Sequence, residues 1–425
     1  MSTVETITKA VAQIGDGPLR EAGLIEHIHP LFSRVLARNQ CTNEIYLANH
    51  SLGRPLDALS DDVQECLDAW YTDIDGAWGP WIAERETYRA AIAALIGCAR
   101  PDAIVPKTSA GQGLRAVLNA LPTTKPNIVT TRGEFDSIDF ILKACAHKGR
   151  ASMSWVDADQ QGMFHPQSII DAITDQTDLV VVSMIVFATG QIIEGLERII
   201  AAAHAHGALV ILDGYHAFGV IEIGFEQLGA DFIIGGNYKY TRGGPGACFL
   251  GIHPKHLSQS GGVPEPDALF TTDTGWFAKQ DTFGYTRTDR PAYAPGGDAW
   301  LEATPPAITY FQARSGLALT NALGVDRLRD YSLHQQQLLQ TMLTDAKIPP
   351  RILDHHGAFT ILAVRDGPVC IEKTKAAGVN ADGRPCPTTG VFHVRLCPDI
   401  LSTADELAQA VDRMAPIIRP MLATD

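Results

Sequence analysis

Charge is scarce in this 425-residue chain: Asp, Glu, Lys and Arg together make up 19 %. What charge there is runs acidic, with 34 Lys+Arg against 48 Asp+Glu and a formal net charge of −14. There is no basic excess to attract nucleic acid or an anionic membrane, so neither is expected as a partner. Long hydrophobic runs are missing as well. Stretches such as DLVVVSMIVF and GALVIL fall far short of the ~20 apolar residues a membrane helix needs. The eight cysteines (41, 66, 98, 145, 248, 370, 386 and 397) form no CxxC pair, which excludes a zinc ribbon or a dithiol redox motif. The opening MSTVETITKAVAQIGDG has no apolar core of a secretory signal, so a cytoplasmic protein with reduced thiols is the expectation.

What is present is a 45 % hydrophobic composition, enough for a sizeable core in one large and one smaller domain. Apolar residues at three- and four-residue spacing predict helix from about Asp61 to Ile96. Short β-branched runs follow: NIVTT, ASMSWVD, LVVVSMIVF, ALVILD and DFIIGG. They alternate with helical stretches such as PQSIIDAITDQ and GLERIIAAAHAHG. This alternation predicts an α/β fold with a mainly parallel central sheet and helices on both faces. The segment from about 241 to 306 is rich in Gly and Pro, a long loop region of the kind that carries function. After Pro306 one long helical stretch, two strands and two further helices predict a smaller C-terminal α+β unit.

The chemistry concentrates in ILDGYHAFG and GGNYKYTRGGPG. One apolar strand ends in Asp213, with His216 three residues on. Another ends just before Asn237, Tyr238, Lys239 and Tyr240. Ligands of parallel α/β sheets bind outside the carboxyl ends of the strands, so Asp213 and Lys239 both fall where a ligand sits. A Lys amine can condense with the aldehyde of pyridoxal phosphate, and an Asp can keep the pyridine nitrogen protonated. His216 can pack beside such a ring, or bond to Asp213 or to the cofactor. Taken singly, a strand-end Asp is also a common helix cap, and a Lys after a strand a common solvated charge. The joint spacing is what points to the cofactor.

Upstream, Ser109, Ala110 and Gly111 open a helical run whose free N–H groups can seat a phosphate, or simply make an N-cap. Phe135 after a strand can stack on the ring, or serve the core. Ser183, polar in an apolar strand, can face the cofactor or bond a backbone carbonyl. Arg395, in HVRLCPD, needs a partner if buried; a substrate α-carboxylate or an internal ion pair would provide one.

At Tyr238–Lys239–Tyr240 these residues resemble a known group, the aminotransferase class V enzymes of fold-type I pyridoxal phosphate proteins, and within it the kynureninases. NHSLG (49–53), FATGQ (187–191), Asp213-Gly-Tyr-His216-Ala, Tyr238-Lys239-Tyr240 before GGPG, Gly275–Trp276, Thr304-Pro305-Pro306 and Arg395 before a PD-x-x-x-T-x-x-E-L run each resemble a family motif. The resemblance implies that Lys239 holds the cofactor and moves the proton, with Asp213, His216 and Tyr238 beside it as catalytic groups. It implies that Ser109, Ala110, Tyr238 and Trp276 hold the phosphate, with Phe135, Ser137, Ser183 and Thr304 also at the cofactor. Arg395, with His50 and Ser51, would bind a small-molecule amino-acid substrate, and no metal is implied. It further implies a homodimer with shared active sites, Trp276 and Thr304 reaching the neighbour's site. On this reading residues 1–60 pack on the small domain and the partner, 61–309 form the large cofactor-binding domain, and 310–425 form the small one. The implied activity is hydrolysis of the Cβ–Cγ bond of L-kynurenine or a related γ-keto amino acid, in tryptophan catabolism. Thr304 stands where the kynureninases have Asn, and Phe135-Asp136-Ser137-Ile138 where they have F-P-S-D. These departures keep a lyase, transaminase or other carbon–carbon bond enzyme open as the alternative.

Overall fold

Twelve strands form among the described residues: β1 (Ile45–Tyr46), β2 (Ile104–Lys107), β3 (Asn127–Thr131), β4 (Ser152–Val156), β5 (Leu179–Ser183), β6 (Leu209–Asp213), β7 (Phe232–Gly236), β8 (Cys248–Ile252), β9 (Thr360–Val364), β10 (Val379–Asn380), β11 (Asp382–Pro385) and β12 (Phe392–Leu396). The computed structural model describes residues 2–265 and 268–423. Seven strands make the central sheet in the order β2-β8-β7-β6-β5-β3-β4. β3 through β7 run parallel. β8 runs antiparallel between β7 and β2. Strand direction at that edge follows from a short return loop through Gly243–Gly246, which local composition does not reveal.

β5 and β7 are buried along their whole length, as expected of strands covered on both faces. The helices Ala110–Leu118, Asp136–His147 and Leu196–Ala205 provide that cover, turning Leu114, Val117, Ile138, Leu142, Ile199 and Ile200 into the core. Two expected helices are interrupted. The run from 61 to 96 is two helices, Leu59–Thr72 and Trp78–Ile96. The run after Pro306 breaks at Gly324, whose φ of 83° is easy only for a residue without Cβ, giving Ala307–Leu323 and Val325–Asp345.

A smaller C-terminal α+β domain follows, with sheet order β11-β12-β9. It is covered by Val325–Asp345, Gly367–Ala376 and Ala404–Ile418 over Leu339, Leu362, Val394, Leu396 and Met414. β1 pairs in parallel with β10, so the N-terminal segment is tied to this region. The order of the central strands reverses between β3 and β5. That crevice, where ligands of open α/β sheets bind, is bounded by the turns after β3, β5 and β6.

Candidate active site

β6 delivers Asp213 to the sheet edge, in register with Ser183 at the end of β5. The turn after β7 delivers Lys239. This turn is fixed internally, Asn237 Nδ2 donating to the Ala247 carbonyl (2.8 Å) and Thr241 Oγ1 to Asn237 Oδ1 (3.1 Å). It is fixed externally by NHSLG: Gly53 N–H donates to the Tyr238 carbonyl at 2.8 Å. A Cβ on Gly53 would lie 1.9 Å from the Lys239 carbonyl oxygen, so only glycine lets the two chains approach this closely. One buried carboxylate ties three of the motifs together. Asp399, of the PD pair, binds Arg54 after NHSLG and Arg242 after the lysine turn, the latter at 3.1 Å.

Lys239 is 5 % exposed. Its Nζ donates to His216 Nε2 at 2.7 Å, and His216 Nδ1 meets Tyr240 Oη at 3.1 Å. Three rings surround the amine, Tyr215 at 4.9 Å, Phe135 at 5.4 Å and Tyr238 at 5.7 Å from their centroids. Burial pushes Lys239 well below the usual lysine range, against the pull of Asp213. Burial likewise raises Asp213 and holds His216 far down, so the imidazole is neutral. His216 bonds to Lys239 and Tyr240 and not to Asp213, whose Oδ1 accepts from the Tyr215 amide at 2.9 Å.

Lys239 and Asp213 line one cavity of about 580 Å³ together with Phe135, Ser137, Ser183 and Tyr238. At its far wall the helix Ala110–Leu118 begins. The Ser109 hydroxyl caps it, accepting from Gln112 N–H at 3.1 Å. The N–H groups of Ala110 and Gly111 lie in the first turn, where no helical acceptor reaches them. A Cβ on Gly111 would meet Ile141 Cδ1 at 2.8 Å. An amine, a carboxylate at the neighbouring strand end, an aromatic face and a helix start thus converge on one space. This donor set fits the pyridoxal phosphate expected from the sequence.

Sequence reasoning overlooked Glu134, the residue before Phe135. It is 2 % exposed and accepts from Ser183 Oγ (2.6 Å) and Thr131 Oγ1 (2.7 Å). Burial, opposed by the Ser183 and Thr131 hydroxyls, pushes its carboxyl up to about 7, with the Asp213 charge adding to the rise. The available signal was an acidic residue at a strand end opposite a polar residue in an apolar strand.

Arg395, His50 and Ser51 also converge, but on a side chain of the protein itself. Arg395 Nη2 donates to Asp382 Oδ2 at 2.6 Å, the Ser51 hydroxyl donates to the same oxygen, and His50 Nε2 stands 3.8 Å from it. Arg395 is therefore internally paired, for a reason of register: Asp382 and Arg395 face each other across β11 and β12. Arg395 Nη1 donates to the Phe187 carbonyl (2.8 Å), and His393 Nδ1 to the Ala188 carbonyl (3.0 Å). β12 is thereby fastened to the FATGQ turn. Trp276 and Thr304 lie apart from the Lys239 cavity. Trp276 Nε1 donates to Thr304 Oγ1 at 3.3 Å, and Trp276 borders a second cavity of about 850 Å³ with Tyr285, Arg287 and Tyr293. In a single chain neither reaches the phosphate seat.

The layered sheet with a smaller C-terminal domain, and a lysine at its carboxyl edge, define a fold-type I architecture. A C-DES variant with glycine covalently linked to its PLP cofactor shares it with a TM-score of 0.77 at 17 % identity, covering 91 % of this chain and 98 % of that one. The cysteine desulfurase of Thermococcus onnurineus NA1 superposes with a TM-score of 0.72 at 17 % identity, covering 89 % and 96 %. Residues 80–348 match the aminotransferase class-V family, and the chain belongs to that family. It is 28 % identical over 370 residues to a kynureninase of Xanthomonas oryzae pv. oryzae, covering 80 % of this chain and 84 % of the relative. It is 25 % identical over 365 residues to an uncharacterized aminotransferase of Bacillus subtilis, covering 84 % and 91 %.

Proposed function

We propose that this class V pyridoxal phosphate enzyme is a kynureninase-type hydrolase, cleaving the Cβ–Cγ bond of L-kynurenine or a related γ-keto amino acid to alanine and an acid. The observation that carries the reading is the buried Lys239 amine facing the same cavity as Asp213, beneath the Phe135 ring. The kynureninase name of relatives spanning most of the chain supports the choice of reaction.

Pyridoxal 5′-phosphate, when bound, supplies an aldehyde that condenses with amines and a ring that draws electrons from the bonds to the α-carbon. Lys239 would hold the aldehyde end and Asp213 the pyridine nitrogen. The N–H groups at 110 and 111 would hold the phosphate, with Ser109 and Tyr238, and Phe135 would cover one face. Lys239 is the base for the α-proton, because burial lets its amine lose a proton near neutral pH. His216, neutral and braced by Tyr240, accepts from Nζ and aims the lone pair into the cavity. Burial keeps the Tyr238 phenol protonated, so it acts as a donor. Homodimerisation through the Trp276 region belongs to the same proposal, since that side chain does not line its own chain's cavity.

A second reading, a lyase or transaminase acting on another amino acid, draws on Thr304 and on Cys386. That thiol packs against Phe187 and Phe135, two residues of the cavity wall, from behind them. Burial raises it, yet the Thr388 and Thr389 hydroxyls hold it below the usual thiol range. Cys370 plays no such part, since it packs in the core of the C-terminal domain, away from Phe187 and Phe135.

Reconstituted protein should show a visible cofactor band that Lys239→Ala removes; no band in the wild type refutes the cofactor reading. Turnover of L-kynurenine or 3-hydroxykynurenine, followed by the fluorescence of the anthranilate product, tests the hydrolase. A silent assay with an intact band, and turnover of another amino acid that Cys386→Ser abolishes, moves the assignment to the second reading.

A further inference from the structure

The three residues expected to bind a substrate carboxylate already bind one, on Asp382. Arg395, Ser51 and His50 all approach the single oxygen Oδ2. This occupancy is built in by register, because Asp382 and Arg395 are directly opposed across an antiparallel pair. It is also incomplete. Arg395 uses Nη1 on the Phe187 carbonyl and gives Asp382 only Nη2. Among the described residues Arg395 Nε and both ring nitrogens of His50 are buried without a hydrogen-bond partner. A guanidinium binds a carboxylate best through two parallel N–H bonds, and Asp382 supplies one. Leaving a buried donor such as Nε unmet is costly.

Asp382 also has a second arginine within reach. Arg384 Nη1 donates to its Oδ1 at 3.2 Å, and Arg384 is half-exposed. Arg395 and Arg384 bring two positive charges against the one negative charge of Asp382. His50 adds none: burial, then the charge of Arg395, hold it well below its ordinary range. One further carboxylate therefore balances the cluster.

We infer that Asp382 is a resident competitor for the substrate carboxylate on Arg395, and that Arg384 receives it when the substrate takes Nε and Nη2. The exchange trades one bond on Arg395 for two and leaves two arginines facing two carboxylates. Asp382 and Arg384 then set which acids enter: a ligand must offer a carboxylate free to lie side-on to Arg395, and a weaker acceptor leaves the ion pair closed. This rests on the proposed function for the identity of the ligand as an amino acid, but not for the exchange itself.

The test uses Asp382→Asn and Arg384→Gln with two probes. Maleate binding to the purified protein is measured by calorimetry, and L-alanine binding to the reconstituted enzyme by the change in its visible band. Asp382→Asn weakens the competitor and is expected to lower the maleate Kd at least about fivefold (~1 kcal/mol), with L-alanine following. Arg384→Gln removes the place of retreat and is expected to raise both Kd values by a similar factor. Equal or weaker binding by Asp382→Asn overturns the inference, since Asp382 then only orients Arg395. Maleate binding to none of the three proteins overturns it as well. The expected maleate ranking without any visible band upholds the exchange and refutes the cofactor reading. A visible band with unchanged affinities does the reverse.

Discussion

Replacing Glu134 by Gln keeps the size of the side chain and one of the two oxygens that accept from the Ser183 and Thr131 hydroxyls, but turns the other into an amide donor and removes a titrating proton. In the folded chain this carboxyl is pushed from an ordinary 4.5 up to about 7; unfolded, it returns to the ordinary value. Below pH 4.5 both states carry the proton and the group is neutral towards stability. As pH rises from 4.5 to 7 the unfolded state releases the proton and the folded state does not, so stability falls. Above 7 the full penalty of an ionised, buried carboxylate is in place, about 3 kcal/mol for a displacement of this size. Glu134→Gln lacks that penalty. Urea unfolding of both proteins between pH 5 and pH 8 should show the variant gaining on the wild type by roughly 2–3 kcal/mol across the range. A constant difference, or one that moves towards the wild type with rising pH, refutes the argument that burial governs this group.

Gly53→Ala drives a methyl into the Lys239 carbonyl and should lower stability by about 1–3 kcal/mol; calorimetric melting and retained cofactor absorbance measure both effects, and an unaltered band at full stability contradicts the close approach. Asp399→Asn strands Arg54 and Arg242 in a buried site; a loss of about 3–5 kcal/mol is expected, read from denaturant midpoints. Phe135→Ala should raise the cofactor Kd about fivefold through lost stacking worth ~1 kcal/mol, measured by titrating cofactor-free protein.

Asp213 and Lys239 were legible in the sequence because a parallel sheet delivers every strand to the same edge. Their position depends only on finding two strand ends. Ser109 was legible for a similar local reason, since caps are written within four residues of chain. Arg395 was legible as a buried cation in need of an anion, but its partner was not. Asp382 lies thirteen residues away in sequence and becomes its neighbour only through the pairing of β11 with β12, a register that no periodicity encodes. Glu134 escaped notice likewise, because its meaning comes from Ser183, a partner from another strand. The reversed direction of β8 and the break at Gly324 depend on how the chain returns after a loop, which composition leaves unspecified. Trp276 and Thr304 carry a family-like pattern, yet their place in space is apart from the lysine.

The two side chains that fasten β12 to the FATGQ turn bear on selectivity if Arg395 takes a ligand carboxylate as proposed. Phe187 lends its carbonyl to Arg395 and its ring to the wall of the reaction chamber. Whatever tugs on the guanidinium is felt through that one residue by the apolar lining. On the proposed carboxylate exchange, grip on the acidic end of a guest and accommodation of its other end would be coupled, so size preference could be retuned from a position that the guest's bulky portion never meets.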